Sequence, residues 1–187
     1  MKGKKMSLYD VLCAAARTGD QKTIETLLLH PKCDVLSKDG EGWTALMYAA
    51  RYGKAPCIEL LLPASDPLVK DHNGCTSLMH AVSSGRASCM KHLLAVSDPL
   101  DKDRWGRSAL MYAAFGGYES CVQLLLPVSD VLVRDKRGRN ASELAVSMGH
   151  ESLARLIDAY GVAQSEKMAL SVLVPAGAPQ KRSSPRV

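Results

Sequence analysis

Four stretches of this chain can be laid over one another. GWTALMYAARYG, GCTSLMHAVSSG, GRSALMYAAFGG and GRNASELAVSMG begin at residues 42, 74, 106 and 138, a spacing of 32 residues each time. A fixed period of this length marks a repeat architecture, in which one small supersecondary unit is stacked on copies of itself. Two glycine series keep the register: Gly42, Gly74, Gly106 and Gly138, then Gly53, Gly85, Gly117 and Gly149. Asp39, Asp71, Asp103 and Asp135 keep it as well, each preceded by Lys or Arg.

Each stretch between the two glycine series predicts a short helix. Thr44, Thr76, Ser108 and Asn140 stand at its start, and Asp10 takes the same role in an offset N-terminal unit. All five are residue types whose side-chain oxygen accepts a hydrogen bond from an orphaned N–H of the first helical turn. Small residues follow at 49–50, 81–82, 113–114 and 145–146, where two helices can approach closely. A second helix is predicted in KAPCIELLL, RASCMKHLL, YESCVQLLL and HESLARLI, whose apolar residues recur at three- and four-residue spacing along one buried face. Pro56 falls in the first turn, where it is tolerated, and Pro63 and Pro127 fit just past the last. Segments such as PASDPLVKDHNG, rich in Pro, Asp and Gly, read as a loop ending in a tight turn. No single helix pair can bury its apolar faces alone, so the units must stack.

Composition agrees with a helical class. Hydrophobic residues make up 47% of the 187, while aromatics are confined to two Trp, six Tyr and one Phe, which suits closely packed small helices better than a β-sandwich. The net charge of +5 is carried by the ends: Lys2, Lys4 and Lys5 at one, Lys167, Lys181, Arg182 and Arg186 at the other, leaving the centre nearly neutral. The basic start lacks a convincing cleavage site after it, and no run of about 18 apolar residues occurs, so neither a secretory signal nor a membrane span is expected. The expected location is intracellular, in the cytoplasm, with the six cysteines as reduced thiols.

The repeated residues resemble the ankyrin repeat, with its D-x-x-G-x-T-P-L-H-x-A-A-x-x-G-H pattern, a second helix ending in Leu-Leu and a Gly-Ala-Asp loop. The resemblance covers residues 7–160 in five units, about 7–38, 39–70, 71–102, 103–134 and 135–160. It implies an all-α solenoid of five stacked helix-loop-helix units with projecting β-turn fingers. Ala45, Ser77 and Ala109 stand where the family has Pro, and Met47, Met79 and Met111 where it has His, so the hydrogen bonds of that His are missing. Ser65-Asp66, Ser97-Asp98 and Ser129-Asp130 replace Gly-Ala-Asp. These TALM and LLPxSD variants are similar to those of ankyrin proteins expanded in some parasitic protists. The first unit resembles an N-terminal cap, and the last, with Ser142, Glu143, Glu151 and Arg155, a capping repeat with one solvated side.

No constellation points to catalysis. The five histidines fall at unrelated repeat positions, and no nucleophile elbow, phosphate loop or dinucleotide-binding pattern is present. The recurring aspartates are explained by the turn that every unit needs. Cys57, Cys89 and Cys121 recur every 32 residues, but stacked helices lie about 8–10 Å apart, beyond the roughly 7 Å that a disulfide spans. No enzyme, cofactor or metal is expected.

The resemblance implies that finger tips and the ends of first helices line a concave groove. The candidate partner-binding residues there are Trp43, Arg51, Tyr52, His72, Asn73, Arg104, Trp105, Arg107, Phe115, Lys136, Arg137 and Arg139. They include both tryptophans and the one phenylalanine, and Trp, Tyr and Arg are the residues that interfaces favour as anchors. The expected function is a monomeric scaffold or adaptor that binds a protein partner, with an acidic segment drawn to the basic last two fingers. The alternative is a nucleic-acid or acidic-surface binder acting through the basic termini and those fingers, although a nearly neutral domain without a base-reading motif makes nucleic acid the poorer fit. Residues 1–6 form a basic extension. From 161 the period is lost and a mostly disordered basic Pro/Ser tail is expected, with Ser183 and Ser184 as candidate phosphate acceptors; residues 168–174 are the segment that can instead pack on the last unit.

Overall fold

A computed structural model describes residues 6–173, with side chains through 169. Ten α-helices occur among them: α1 (Leu8–Thr18), α2 (Gln21–Leu28), α3 (Ala45–Arg51), α4 (Ala55–Leu61), α5 (Ser77–Ser83), α6 (Ala87–Leu94), α7 (Ala109–Gly116), α8 (Glu119–Leu125), α9 (Ala141–Ser147) and α10 (Glu151–Leu173). Single 3₁₀ turns, Leu62–Ala64 and Leu126–Val128, extend α4 and α8. No strand is present among the described residues, and the all-α solenoid predicted from the period is what forms.

The helices lie in two layers. The odd-numbered helices pack on one another along the stack as an inner layer, and the even-numbered ones follow outside. The inner contacts are close because Ala49, Ala50, Ala81, Ala113, Ala114 and Ala145 are fully buried there, with no side chain long enough to hold the backbones apart. The core between layers is filled by larger residues, among them Leu46, Ile58, Leu61, Leu78, Met90, Leu93, Leu110 and Leu125. Burying each stabilises by about 1.5–3 kcal/mol. Cys57, Cys89 and Cys121 sit in this core as small apolar residues, and all six cysteines are free thiols.

Thr44, Thr76, Ser108 and Asn140 cap α3, α5, α7 and α9 as expected, each accepting from the N–H three residues on. Asp10 does not cap α1. The helix starts earlier, at Ser7, whose Oγ accepts from the Asp10 N–H at 3.1 Å while the Asp10 carboxylate accepts from the Ser7 N–H at 2.9 Å. The reciprocal pair satisfies two orphan donors in place of one.

The last helix does not stop where the period does. The boundary expected at 160 falls inside α10, which continues to Leu173. At Gly161 the helix passes close to the preceding loop, where a Cβ would lie 3.0 Å from Val131 Cγ2. The candidate phosphate acceptors Ser183 and Ser184 lie outside the described residues.

Outer-helix starts are seated on glycine. Lys54 lies over Gly19, Arg86 over Gly53, Tyr118 over Gly85 and His150 over Gly117, so each unit lays one side chain across the bare backbone of the unit before it. Gly85 shows why a side chain is excluded: its φ is +65, and a Cβ would approach the Tyr118 ring to 2.6 Å.

Candidate binding surface

Between outer and inner helices of successive units the chain leaves the stack, turns and returns, forming four fingers. Each finger is organised by its aspartate. The backbone N–H of Asp39, Asp71, Asp103 and Asp135 donates to the carbonyl four residues on. One carboxylate oxygen then accepts two N–H groups across the turn: Glu41 and Trp43, Asn73 and Cys75, Trp105 and Arg107, Arg137 and Arg139, all at 2.8–2.9 Å. Neighbouring fingers are joined by single backbone bonds, from His72 N–H to the Glu41 carbonyl, Arg104 N–H to Asn73 and Lys136 N–H to Trp105.

The second carboxylate oxygen takes a different partner in each finger. The Tyr48 hydroxyl donates to Asp39 at 2.6 Å, His80 Nε2 meets Asp71 at 3.0 Å, and Asp103 accepts from both Tyr112 (2.7 Å) and Arg107 Nε (2.8 Å). In the last finger, where Leu144 replaces the aromatic residue, Arg139 binds Asp135 through Nε and Nη2. Burial, then hydrogen bonding within these clusters, raises the pKa of Tyr48 and Tyr112, so both phenols stay protonated as donors. His80 is held below its ordinary value by burial, which outweighs the pull of Asp71. Burial pushes Asp135 up, but hydrogen bonds from the Arg139 backbone and guanidinium outweigh it and leave the net shift downward. The sequence signal of these clusters was the recurrence of Tyr, His and Tyr nine residues after the aspartate, replaced in the last unit by Arg four residues after it.

These contacts sort the twelve candidate residues. Trp43 is half-buried, with Tyr48 at 5.1 Å and His80 at 4.0 Å between ring centroids, and its carbonyl accepts from Tyr9. It joins three units and offers little free surface. Asn73 is half-buried beneath the next finger. Arg107 and Arg139 are committed to buried aspartates, with side chains 31% and 38% exposed. Arg51, Tyr52, His72, Arg104, Trp105, Phe115, Lys136 and Arg137 are exposed. Arg51 donates to Ser83 Oγ of the next unit at 2.8 Å. Arg104 and Arg107 hold the Trp105 ring from 4.2 and 4.5 Å, fixing it in place while it stays 39% exposed. Lys136 and Arg137 form no ion pair among the described residues.

A pocket that the residue reading missed opens on this surface, about 270 Å³ in volume, between α7 and α9. Met111, Tyr112 and Leu144 line it below, Phe115 and Tyr118 at the sides, and Arg107, Arg139 and Ser83 at the mouth. Phe115, Gly116 and Leu144, each unlike its counterparts in the other units, were its sequence signals.

A stack of two-helix units with inner helices, outer helices and hydrogen-bonded fingers is a solenoid of one repeat family. The family model described as ankyrin repeats (3 copies) matches residues 12–103 and 89–167, and the chain belongs to the ankyrin-repeat family. Comparison with the curated proteins finds no match. Repeats of this family generally mediate protein–protein interaction and are typically not enzymes. No described helix is long and apolar enough to cross a membrane.

Proposed function

We propose that this protein is a non-enzymatic scaffold or adaptor that holds a protein partner in its concave groove and against its finger tips. The observation that carries the reading is the row of exposed rings Tyr52, Trp105 and Phe115, from 39% to 48% exposed, along a surface where the finger aspartates hold Tyr48, Arg107 and Arg139 in internal bonds. A large aromatic side chain held rigid loses little entropy on binding and buries a large area, which makes it an anchor. The proposed scaffold is a monomer without a cofactor. The free cations Arg104, Lys136 and Arg137 steer an acidic face of the partner toward the C-terminal half.

The test is a comparative pull-down with wild type against a Tyr52→Ala, Trp105→Ala, Phe115→Ala variant shown by circular dichroism to be folded. A partner captured by wild type and lost from the variant supports the groove; identical captures sink it. A salt titration separates the alternative, since binding to nucleic acid or another polyanion weakens steeply between about 50 and 200 mM salt.

A further inference from the structure

The pocket between α7 and α9 differs in its more apolar lining from the one at the equivalent place between α1 and α3, which is about 260 Å³ and lined by Cys13, Ala14, Arg17, Asp39 and Tyr48 among others. At the register of Phe115 the other units carry Arg17, Arg51, Ser83 and Ser147, and at the register of Gly116 they carry Thr18, Tyr52, Ser84 and Met148. Gly116 is required by the Tyr118 ring, into which a Cβ at 116 would collide. The ring therefore lies flat against bare backbone, and Phe115 forms the facing wall. Leu144 stands where the three preceding units carry Tyr or His, and adds an apolar side chain to the lining beside Met111. Small-molecule sites are usually about 300–1,000 Å³; a site of 270 Å³ open to a groove suits one protruding side chain.

The mouth is positive. Residues 104–107 and 136–139 contain no carboxylate, and the aspartates that precede them are buried, with 0% and 3% side-chain exposure. Arg107 and Arg139 are held at the rim by those aspartates, and Arg104, Lys136 and Arg137 surround them. The first finger by contrast carries Glu41 at its tip.

We infer that this pocket receives a single large apolar side chain, Leu, Met or Phe, projecting from a short acidic segment of the partner whose carboxylates flank it and meet Arg104, Lys136 and Arg137. The inference rests on the groove reading and assigns the partner's chemistry at one place within it. A nucleic acid would engage the cations and leave the pocket empty.

The probe is a library of random peptides displayed on phage, selected on the full chain, followed by fluorescence anisotropy of the best synthetic peptide at physiological salt. The expected consensus has one large apolar residue flanked by Asp or Glu. Phe115→Ala is expected to weaken the peptide about tenfold, the loss of roughly 1.4 kcal/mol. Leu144→Tyr, which puts the phenol of Tyr48 and Tyr112 in place of an apolar part of the lining, is expected to do the same while preserving the circular dichroism spectrum. Arg104→Glu, Lys136→Glu, Arg137→Glu together are expected to abolish binding. No enrichment, a basic or purely polar consensus, or binding indifferent to both Phe115→Ala and Leu144→Tyr overturns the inference. If the selected peptides are lost on Arg51→Ala, Tyr52→Ala and kept by the pocket variants, the groove reading stands and the pocket assignment falls. Peptides indifferent to every groove variant remove both.

Discussion

The first two fingers and the last two are built on one backbone and differ in what holds the outer oxygen of the aspartate. In the first two, an aromatic residue of the following inner helix reaches back: Tyr48 to Asp39, His80 to Asp71. In the last two, an arginine four residues on within the finger does so, joined in the third by Tyr112 and alone in the fourth. The turn needs the aspartate's two N–H bonds everywhere, so that oxygen is invariant along the stack. The other oxygen needs only a donor. Supplying the donor from Arg139 leaves position 144 able to hold Leu, an apolar side chain that lines the pocket. The same exchange brings two more guanidiniums to the rim, which is why the C-terminal half of the groove is apolar and cationic together.

The sharpest way to break this comparison is to remove an aspartate from each half. Asp103→Ala strands Arg107 and four hydrogen bonds, a loss of about 4 kcal/mol in urea unfolding, as for breaking a buried ion pair. Asp39→Ala removes an acceptor without an arginine partner and is expected to cost about 2 kcal/mol. Equal losses would mean that the arginine contributes nothing.

Two glycines of the same conformation separate the stacked fingers from the terminal one. Gly74 and Gly138 have φ of +78 and +79, but a Cβ at 74 would lie 3.0 Å from the Arg104 nitrogen, whereas one at 138 meets nothing within 4 Å. Gly138→Ala should show the left-handed penalty alone, about 1 kcal/mol. Gly74→Ala should add the clash with the neighbouring finger, for about 3 kcal/mol in all, measured by the same unfolding experiment.

The smallest expected effect concerns acid. The folded pKa of His80 is lowered by burial, so below the ordinary 6.5 the unfolded chain takes up the proton first and stability falls until the folded pKa is passed. His80→Tyr puts into the second finger the residue of the first and third. The expected outcome is a flatter profile of thermal midpoint between about pH 7 and 5.5 than wild type shows. Asp135 acts in a lower window: its folded pKa lies below the ordinary 3.8, so its contribution is present above that value and is lost as pH falls through the folded one. Asp135→Asn should therefore reduce the acid sensitivity that remains after His80→Tyr.

Much of the fold was legible in the residues because the repeat averages over local accidents. Four aligned copies of Thr, Thr, Ser and Asn identify a cap that a single residue would not, and the glycine series bound the helices directly. Reading was poorest at the ends, where there is no second copy to compare. Asp10 and Ser7 are equally good caps by residue type, and only the structure shows Ser7 as the cap with Asp10 answering it from the first turn. The run past residue 160 has no period, yet continues as helix to Leu173.

For the surface, residue types alone determined which side chains stand at finger tips and groove positions, because the register assigns every residue a place in the unit. Their availability depended on contacts between units. Trp43 is occupied by His80 of the next repeat and Tyr9 of the previous one, and Arg107 is shared among Asp103, Tyr112 and Trp105, while Trp105 and Phe115 stay exposed. A one-dimensional period states what each unit contains. Which atoms remain free to bind is decided only when neighbouring units are in place, because every hydrogen bond and ring contact that consumes a side chain here is a matter of distances across the stack.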